Sequence, residues 1–444
     1  MFPFQASLFM LIACTTQKDS MDTADTGSVD TGMEEPPIDT GDEPEPGDTA
    51  DTDDTGTDPE PTDTGDTADT GDTGDTGTEP EGIECEGEFW VDGEDTEDDL
   101  QTVENCKSIK GGLYIFETSL TSLDAFDTLE TIEGTLSISG NPSLASINGF
   151  NNLTALTKIT SEEPYVDLQG HVSISGNPSL MSLDGFNGVQ TIEGDLFISD
   201  NTSLPNINGF TVLQTVGGEL QISDHPALVN FDGIDQLSSA GEVSIYGNTA
   251  LSSLQGLLGL THVGFGVFFE ENPNLIDVEF PSLSSVGDSF AFTLNNNLAS
   301  VALPALTSVG TISCSQSDNL QSFTLSSSLT TLGGLNISGC DGFADLSGFE
   351  NISSITDDLV LNGNIGLTSL NGLAQLQTIG DMLLIIDNTI LEDVSGLSNL
   401  NTVGGYFGFA SHPNLCEDDV TSIANQCTIG GSTDIDDNDG TCSN

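Results

Sequence analysis

The chain has 444 residues, with 72 Asp plus Glu against 4 Lys plus Arg and a formal net charge of −68. The basic residues are Lys18, Lys107, Lys110 and Lys158, so there is no arginine. That balance repels nucleic acid and anionic headgroups, and it leaves almost nothing for bidentate recognition of phosphate or carboxylate.

Taken from the N-terminus, residues 1–13 are mostly apolar and end in Leu11-Ile12-Ala13 before Cys14. This run resembles a bacterial lipoprotein signal, which implies that Cys14 becomes the lipidated first residue of the mature chain. It is too short to span a bilayer as a retained helix. No Lys or Arg precedes it, as one usually does in such signals, and ordinary secretion is the alternative. Residues 14–82 follow as an Asp/Thr/Gly-rich linker, with 23 acids between 19 and 82 and a near-repeat from Asp63-Thr64-Gly65 to Asp75-Thr76-Gly77. So little apolar surface cannot offset ordering entropy, and a disordered, self-repelling tether is expected. Asp-Thr-Gly is also the aspartic-protease triplet. That chemistry needs two carboxylates in the apolar loops of a folded lobe, which a polar spacer lacks.

Beyond residues 83–112, expected as an N-terminal cap, one pattern dominates. An apolar-x-apolar strand, then Asn, Leu and Gly-Phe or Gly-Leu, returns at Leu136-Ser137-Ile138 with Asn141, Leu144, Ile147 and Phe150. It returns at Val172 with Asn177 and Phe186, and at Leu196 with Asn201 and Phe210. Strand starts from Leu113 to Phe407 are spaced 22–24 residues apart, except for 36 between Leu136 and Val172, where residues 161–169 interrupt the pattern. The period predicts an all-β, right-handed parallel β-solenoid of about 13 coils over 113–415, with a second cap and acidic tail over 416–444. Five residues after each strand start lies a ladder position, most often Asn, whose amide can satisfy turn backbone in the neighbouring coil. His225 and His412 fill this position and are read as ladder members, not as metal ligands or bases.

The unit spelled I-x-x-N-x-x-L-x-x-L-x-G-F-x-x-L-x-x-I-x-G resembles the receptor L domain, the ligand-binding β-helical module of insulin-receptor and epidermal-growth-factor-receptor ectodomains. Related repeats occur in fungal cell-wall proteins and bacterial surface lipoproteins. The resemblance covers about Cys85 to Cys427 and implies a leucine-rich-repeat-like fold and a binding role. It transfers no ligand and no site residue. The chain departs from the receptors in having no cysteine-rich module, no transmembrane helix and no kinase, and more coils than one L domain.

Export makes disulfides plausible. Cys85 and Cys106 bracket the segment before the coils and are expected to staple it. Residues 417–426 read as a helix, which would hold Cys416 and Cys427 roughly 16 Å apart, beyond disulfide reach. Cys416 is therefore paired with Cys442, and Cys427 is left unassigned. Cys314 replaces an inward strand residue and Cys340 a ladder Asn. Lying three positions out of register, they are expected as two buried free thiols and not a bridge. No cofactor is expected. The one metal candidate is calcium at Asp434, Asp436 and Asn438, an acid-rich run near the D-x-D-x-D-G spelling but without its distal Glu, for which a solvated tail is the plainer account.

No Gly-x-Ser-x-Gly elbow, phosphate loop or Cys/His zinc spacing occurs, and the outward strand positions are mostly small, so no enzyme is expected. Two outward apolar clusters stand out: Tyr246 with Phe268, and Val360 with Leu384 and Ile386. Such groups are candidate ligand-binding residues. The expected protein is a monomeric lipoprotein of the bacterial outer membrane, touching the membrane only through its anchor, that binds an extracellular protein or glycan. The alternatives are a structural envelope component without a ligand and, less favoured, a carbohydrate-active β-helix enzyme.

Overall fold

Alternation of apolar and small polar residues sets the architecture. In most principal strands the first and third side chains are buried and the second and fourth are half-buried or exposed, as in Leu136–Ser139 and Leu196–Ser199, with Val360 and Gly408 among the buried exceptions. The computed structural model describes residues 82–159, 170–438, 440 and 442. The expected leader, Cys14 and the acidic linker up to residue 81 lie outside them. The described residues fall in one unit, Thr76–Asn444, a parallel β-solenoid of about 14 turns.

The front row pairs without register shifts. Leu113 lies opposite Leu136, Leu136 opposite Val172, and Val172 opposite Leu196. The 36-residue spacing therefore leaves the sheet intact. The row also gains a strand at each end: Phe89–Val91 beside Leu113–Phe116, and Thr433–Asp436 beside Phe407–Ala410. The segments read as caps are thus further turns, each with one helix inserted: α1 (Thr96–Val103) and α2 (Glu417–Gln426). Their strands are hard to see in the sequence because Phe-Trp-Val points a Trp outward and Thr-Asp-Ile-Asp has a single apolar residue.

A second row of short strands runs behind the first, from Ile83–Glu86 to Thr428–Ile429. The third side varies. It is a 3-10 turn at Asn148–Phe150, Asn371–Leu373 and Ser395–Leu397. At Asp277–Glu279, Ser300–Leu303 and Ser322–Leu325 it is a separate three-stranded parallel sheet. Phenyl rings stack along the core, with Phe126, Phe150, Phe186 and Phe210 at centroid spacings of 5.2, 5.6 and 5.0 Å, within the range where offset stacking is favourable.

Every front strand from Leu113 on turns through a left-handed corner four residues after its start. Gly supplies it at Gly140 (φ 64°) and Gly176 (φ 64°), but Asp200 (φ 54°), Asp224 (φ 60°) and Leu294 (φ 58°) adopt it too. A branched aliphatic such as Leu294 is costly there, and the next residue repays the cost. Each ladder Asn is buried and binds the turn before it twice. Asn177 Oδ1 accepts the Asn141 N–H (3.1 Å) and its Nδ2 donates to the Ile138 carbonyl (3.0 Å). Asn272 repeats this on Asn248 (3.2 Å) and Ile245 (2.9 Å), and Asn388 on Asn364 (3.0 Å) and Leu361 (2.9 Å). His225 and His412 are fully buried members of the ladder. His225 donates its N–H to Asn248 Oδ1 (3.1 Å), while its Nδ1 has no partner.

Candidate binding surface

The front sheet offers three outward rows, at one residue before each strand start and at one and three residues after it. Parallel strands in register stack equivalent side chains about 4.8 Å apart, so a row reads as a continuous stripe. Val360 lies opposite Leu384, and Leu384 opposite Gly408. Ile386 lies between Asn362 and Ala410. Leu384 and Ile386 are half-buried, whereas Val360 is only 6% exposed. Val360 thus supports the patch more than it presents to a ligand.

Sequence reasoning missed Tyr406 here. Its ring lies over Gly408: a Cβ on that glycine would sit 2.5 Å from Tyr406 Cε1 and 3.1 Å from Leu384 Cδ1. The Tyr406 hydroxyl donates to Asp434 Oδ2 (3.3 Å), and burial, then the Asp434 charge, raises its pKa. The same device recurs where Phe268 lies across Gly266 and Tyr114 across Gly112. An outward ring two residues from a glycine covers its bare backbone, and that spacing is a usable sequence signal. It also explains why Phe268 is half-buried. Tyr246 is not brought onto the same rung. It lies opposite Glu270, whereas Phe268 lies opposite Ser244, so the two share a face but are offset by two residues.

A second aromatic group sits at the first turns and was also missed. Trp90, the chain's one tryptophan, is 53% exposed and stacks on Tyr114 with centroids 4.3 Å apart, while Phe116 meets it edge-on at 5.9 Å. Burial, then a hydrogen bond with Glu88, pushes the Tyr114 pKa up to about 12.

The row before the strand starts carries carboxylates in successive turns: Asp195, Glu219 and Glu242. Glu219 and Glu242 are register partners. Burial and then the Glu219 charge raise the Glu242 pKa. Burial acts to raise Asp195 as well, but it is outweighed by His171, whose Nδ1 lies 2.9 Å from Asp195 Oδ2, and by the Glu219 N–H at 2.7 Å, so that carboxyl stays below its ordinary value. Their constant offset from Leu196, Leu220 and Val243 was readable in the sequence.

The calcium candidates separate. Asn438 is buried as the last ladder residue, with His412 Nδ1 2.8 Å from its Oδ1 and its Nδ2 donating to the Phe409 carbonyl (3.2 Å). Asp434 and Asp436 stand on the outward face of Thr433–Asp436, so the three do not share a loop. Cys85 is bonded to Cys106 and Cys416 to Cys442, tying down the two end turns. Cys314, Cys340 and Cys427 carry no disulfide in the structure, the first two buried as expected and Cys427 half-buried.

Residues 86–185 match the receptor L domain, and residues 261–385 match the BspA-type leucine-rich repeat region in 6 copies. These two stretches make the chain a repeat protein similar to the receptor L domain and to BspA-type leucine-rich repeats. Solenoids of this type are typically non-enzymatic, the repeats point to a protein-interaction or surface repeat protein, and BspA-type repeats occur in bacterial surface proteins. No curated protein matches the chain. Among the described residues no helix is long and apolar enough to cross a membrane.

Proposed function

We propose that this protein is a bacterial surface lipoprotein, anchored through Cys14, that binds an extracellular protein or glycan on its front sheet. One observation carries the reading: Leu384, Ile386 and Tyr406 form a half-buried apolar patch across neighbouring rungs of a rigid, in-register sheet whose other outward residues are mostly small and polar. Interfaces draw most of their energy from a few such anchors, and flat sheets without deep clefts favour macromolecules over small ligands. The net charge of −68 disfavours polyanionic partners.

Screening the purified protein against protein and glycan arrays tests this. A saturable ligand lost with Leu384→Ser supports it; a protein with no ligand on either array is instead a structural envelope component. Cys14→Ser should release the protein from the membrane fraction and abolish acyl labelling, and retained lipid would remove the anchor. The carboxylate row favours a second reading, a carbohydrate-active enzyme, because Asp195, Glu219 and Glu242 project from successive turns of one face, where paired carboxylates could flank a glycosidic bond. Polysaccharide turnover that disappears in Glu242→Gln would establish that reading in place of binding.

A further inference from the structure

Cys314 and Cys340 are both fully buried, in adjacent turns, with their Sγ atoms 2.6 Å apart. We infer that these two residues form a third disulfide, a covalent cross-link between neighbouring turns that takes the place of one rung of the asparagine ladder. The register argues for it independently of the sulfur separation. A ladder side chain reaches back to the residue two after the preceding strand start: Asn295 donates to the Phe269 carbonyl and Asn364 to the Ile337 carbonyl, each at 2.9 Å. Cys340 occupies the ladder position of the turn that starts at Leu335. The residue it reaches by the same geometry lies two after Ile312, and that residue is Cys314. Ile312 pairs with Leu335 and Cys314 with Ile337 in unbroken register, so nothing has to shift for the two side chains to converge. A comparison of strand positions alone hides this, because the contact joins a strand residue to a turn residue.

At 2.6 Å the two sulfurs lie between a covalent bond, about 2.05 Å, and a non-bonded contact, about 3.5–4.0 Å, so a small movement closes the bond. Cys340 keeps one half of the ladder pattern, since its N–H donates to Asn364 Oδ1 at 3.0 Å. It lacks the amide that would tie it to the turn before, and a bond to Cys314 supplies that tie. The bonded pairs Cys85–Cys106 and Cys416–Cys442 indicate folding in an oxidising compartment. The reaction is thiol–disulfide exchange. A donor disulfide takes up the electron pair and is released as two thiols, the two cysteine protons pass to those leaving sulfurs, and the Cys314–Cys340 bond forms. Because both sulfurs are buried in the finished solenoid, the exchange belongs to folding, before the turns on either side close.

Peptide mapping of the full-length protein tests the inference. The reduced, denatured chain carrying Cys427→Ser is refolded with a mixture of oxidised and reduced glutathione, its free thiols are alkylated in denaturant, and it is cleaved before aspartates. Asp318 and Asp341 place Cys314 in peptide 288–317 and Cys340 in peptide 318–340. The expected product is one cross-linked species, lighter than the two thiol peptides together by two hydrogen atoms and split by reductant. Recovery of both peptides as separate alkylated thiols, or of either bonded to another cysteine or to glutathione, from protein that has regained its β-sheet circular dichroism would overturn it. As a second readout, reductant should lower the melting temperature of the parent more than that of Cys314→Ala/Cys340→Ala. Equal shifts would contradict the cross-link.

Discussion

The turns matched to the receptor L domain and those in the middle of the BspA-type match stack with the same strand spacing but close their third side differently. In the first region Ile147 and Phe150 are three residues apart, and the chain between them is the 3-10 turn Asn148–Phe150. In the middle region Val278 and Phe280 are two apart, and the chain is the strand Asp277–Glu279. A 3-10 turn repeats every three residues and a strand every two, so the spacing of two buried side chains selects the element. The glycine of the first pattern is there for clearance: a Cβ on Gly149 would collide with the Leu123 carbonyl oxygen, and one on Gly372 with that of Leu346. The front sheet and its ladder are indifferent to the choice. The third side can therefore vary while the outward rows stay continuous across both regions.

His225 lies on the ladder between the two regions, and acid should loosen that point most. Burial lowers its pKa from 6.5 to about 4. The folded state thus holds the ring neutral while the unfolded chain takes up a proton first. The stability is fully present above the unfolded value and is lost as pH falls from about 6.5 to about 4, by about 3 kcal/mol in all. His225→Asn restores the majority ladder residue, so the difference between its urea midpoints and those of the parent should be constant around neutral pH and widen over that window. Parallel midpoints throughout would show that the imidazole titrates normally.

The third sides can be set against each other directly. Gly372→Ala pushes a methyl into backbone and should cost near the top of the about 1–3 kcal/mol range for overpacking. Ala302→Ser, half-exposed on the strand version, should stay within about 0.5 kcal/mol. Similar losses at both sites, read as denaturant midpoints, would mean that the 3-10 side has room to relax. Ladder substitutions should ignore the boundary. Asn177→Ala in the first region and Asn295→Ala in the middle each strand two backbone partners and should each cost about 1–3 kcal/mol. A large cost in one region only would show that the ladder is not common to both.

Most of the stack was legible in the sequence. The spacing located each front strand from Leu113 to Phe407, though not the short strands behind them, and Asn at the fifth position located the ladder. What stayed hidden was chemistry that depends on neighbouring turns. The third-side strands hid because their signal is a one-residue change in spacing, from Ile147/Phe150 to Val278/Phe280. The end turns hid because Trp90, Asp434 and Asp436 face outward and break the apolar reading. Asn438 looked like part of an acidic loop because its ladder role appears only once Thr433–Asp436 is seen as a strand. Tyr406 went unnoticed because its importance lies in the glycine it covers.

The central claim is that the inward ladder and core hold the fold while the outward rows meet the partner. Leu384→Ser and Phe268→Ser, made singly, separate the two roles, because both side chains face away from the core. Affinity for a ligand identified on the arrays is measured beside the melting temperature. The account predicts a tenfold or greater loss of affinity with Leu384→Ser, about 1.4 kcal/mol, and a melting temperature that moves by little. Lost folding with unchanged affinity per folded molecule would contradict it.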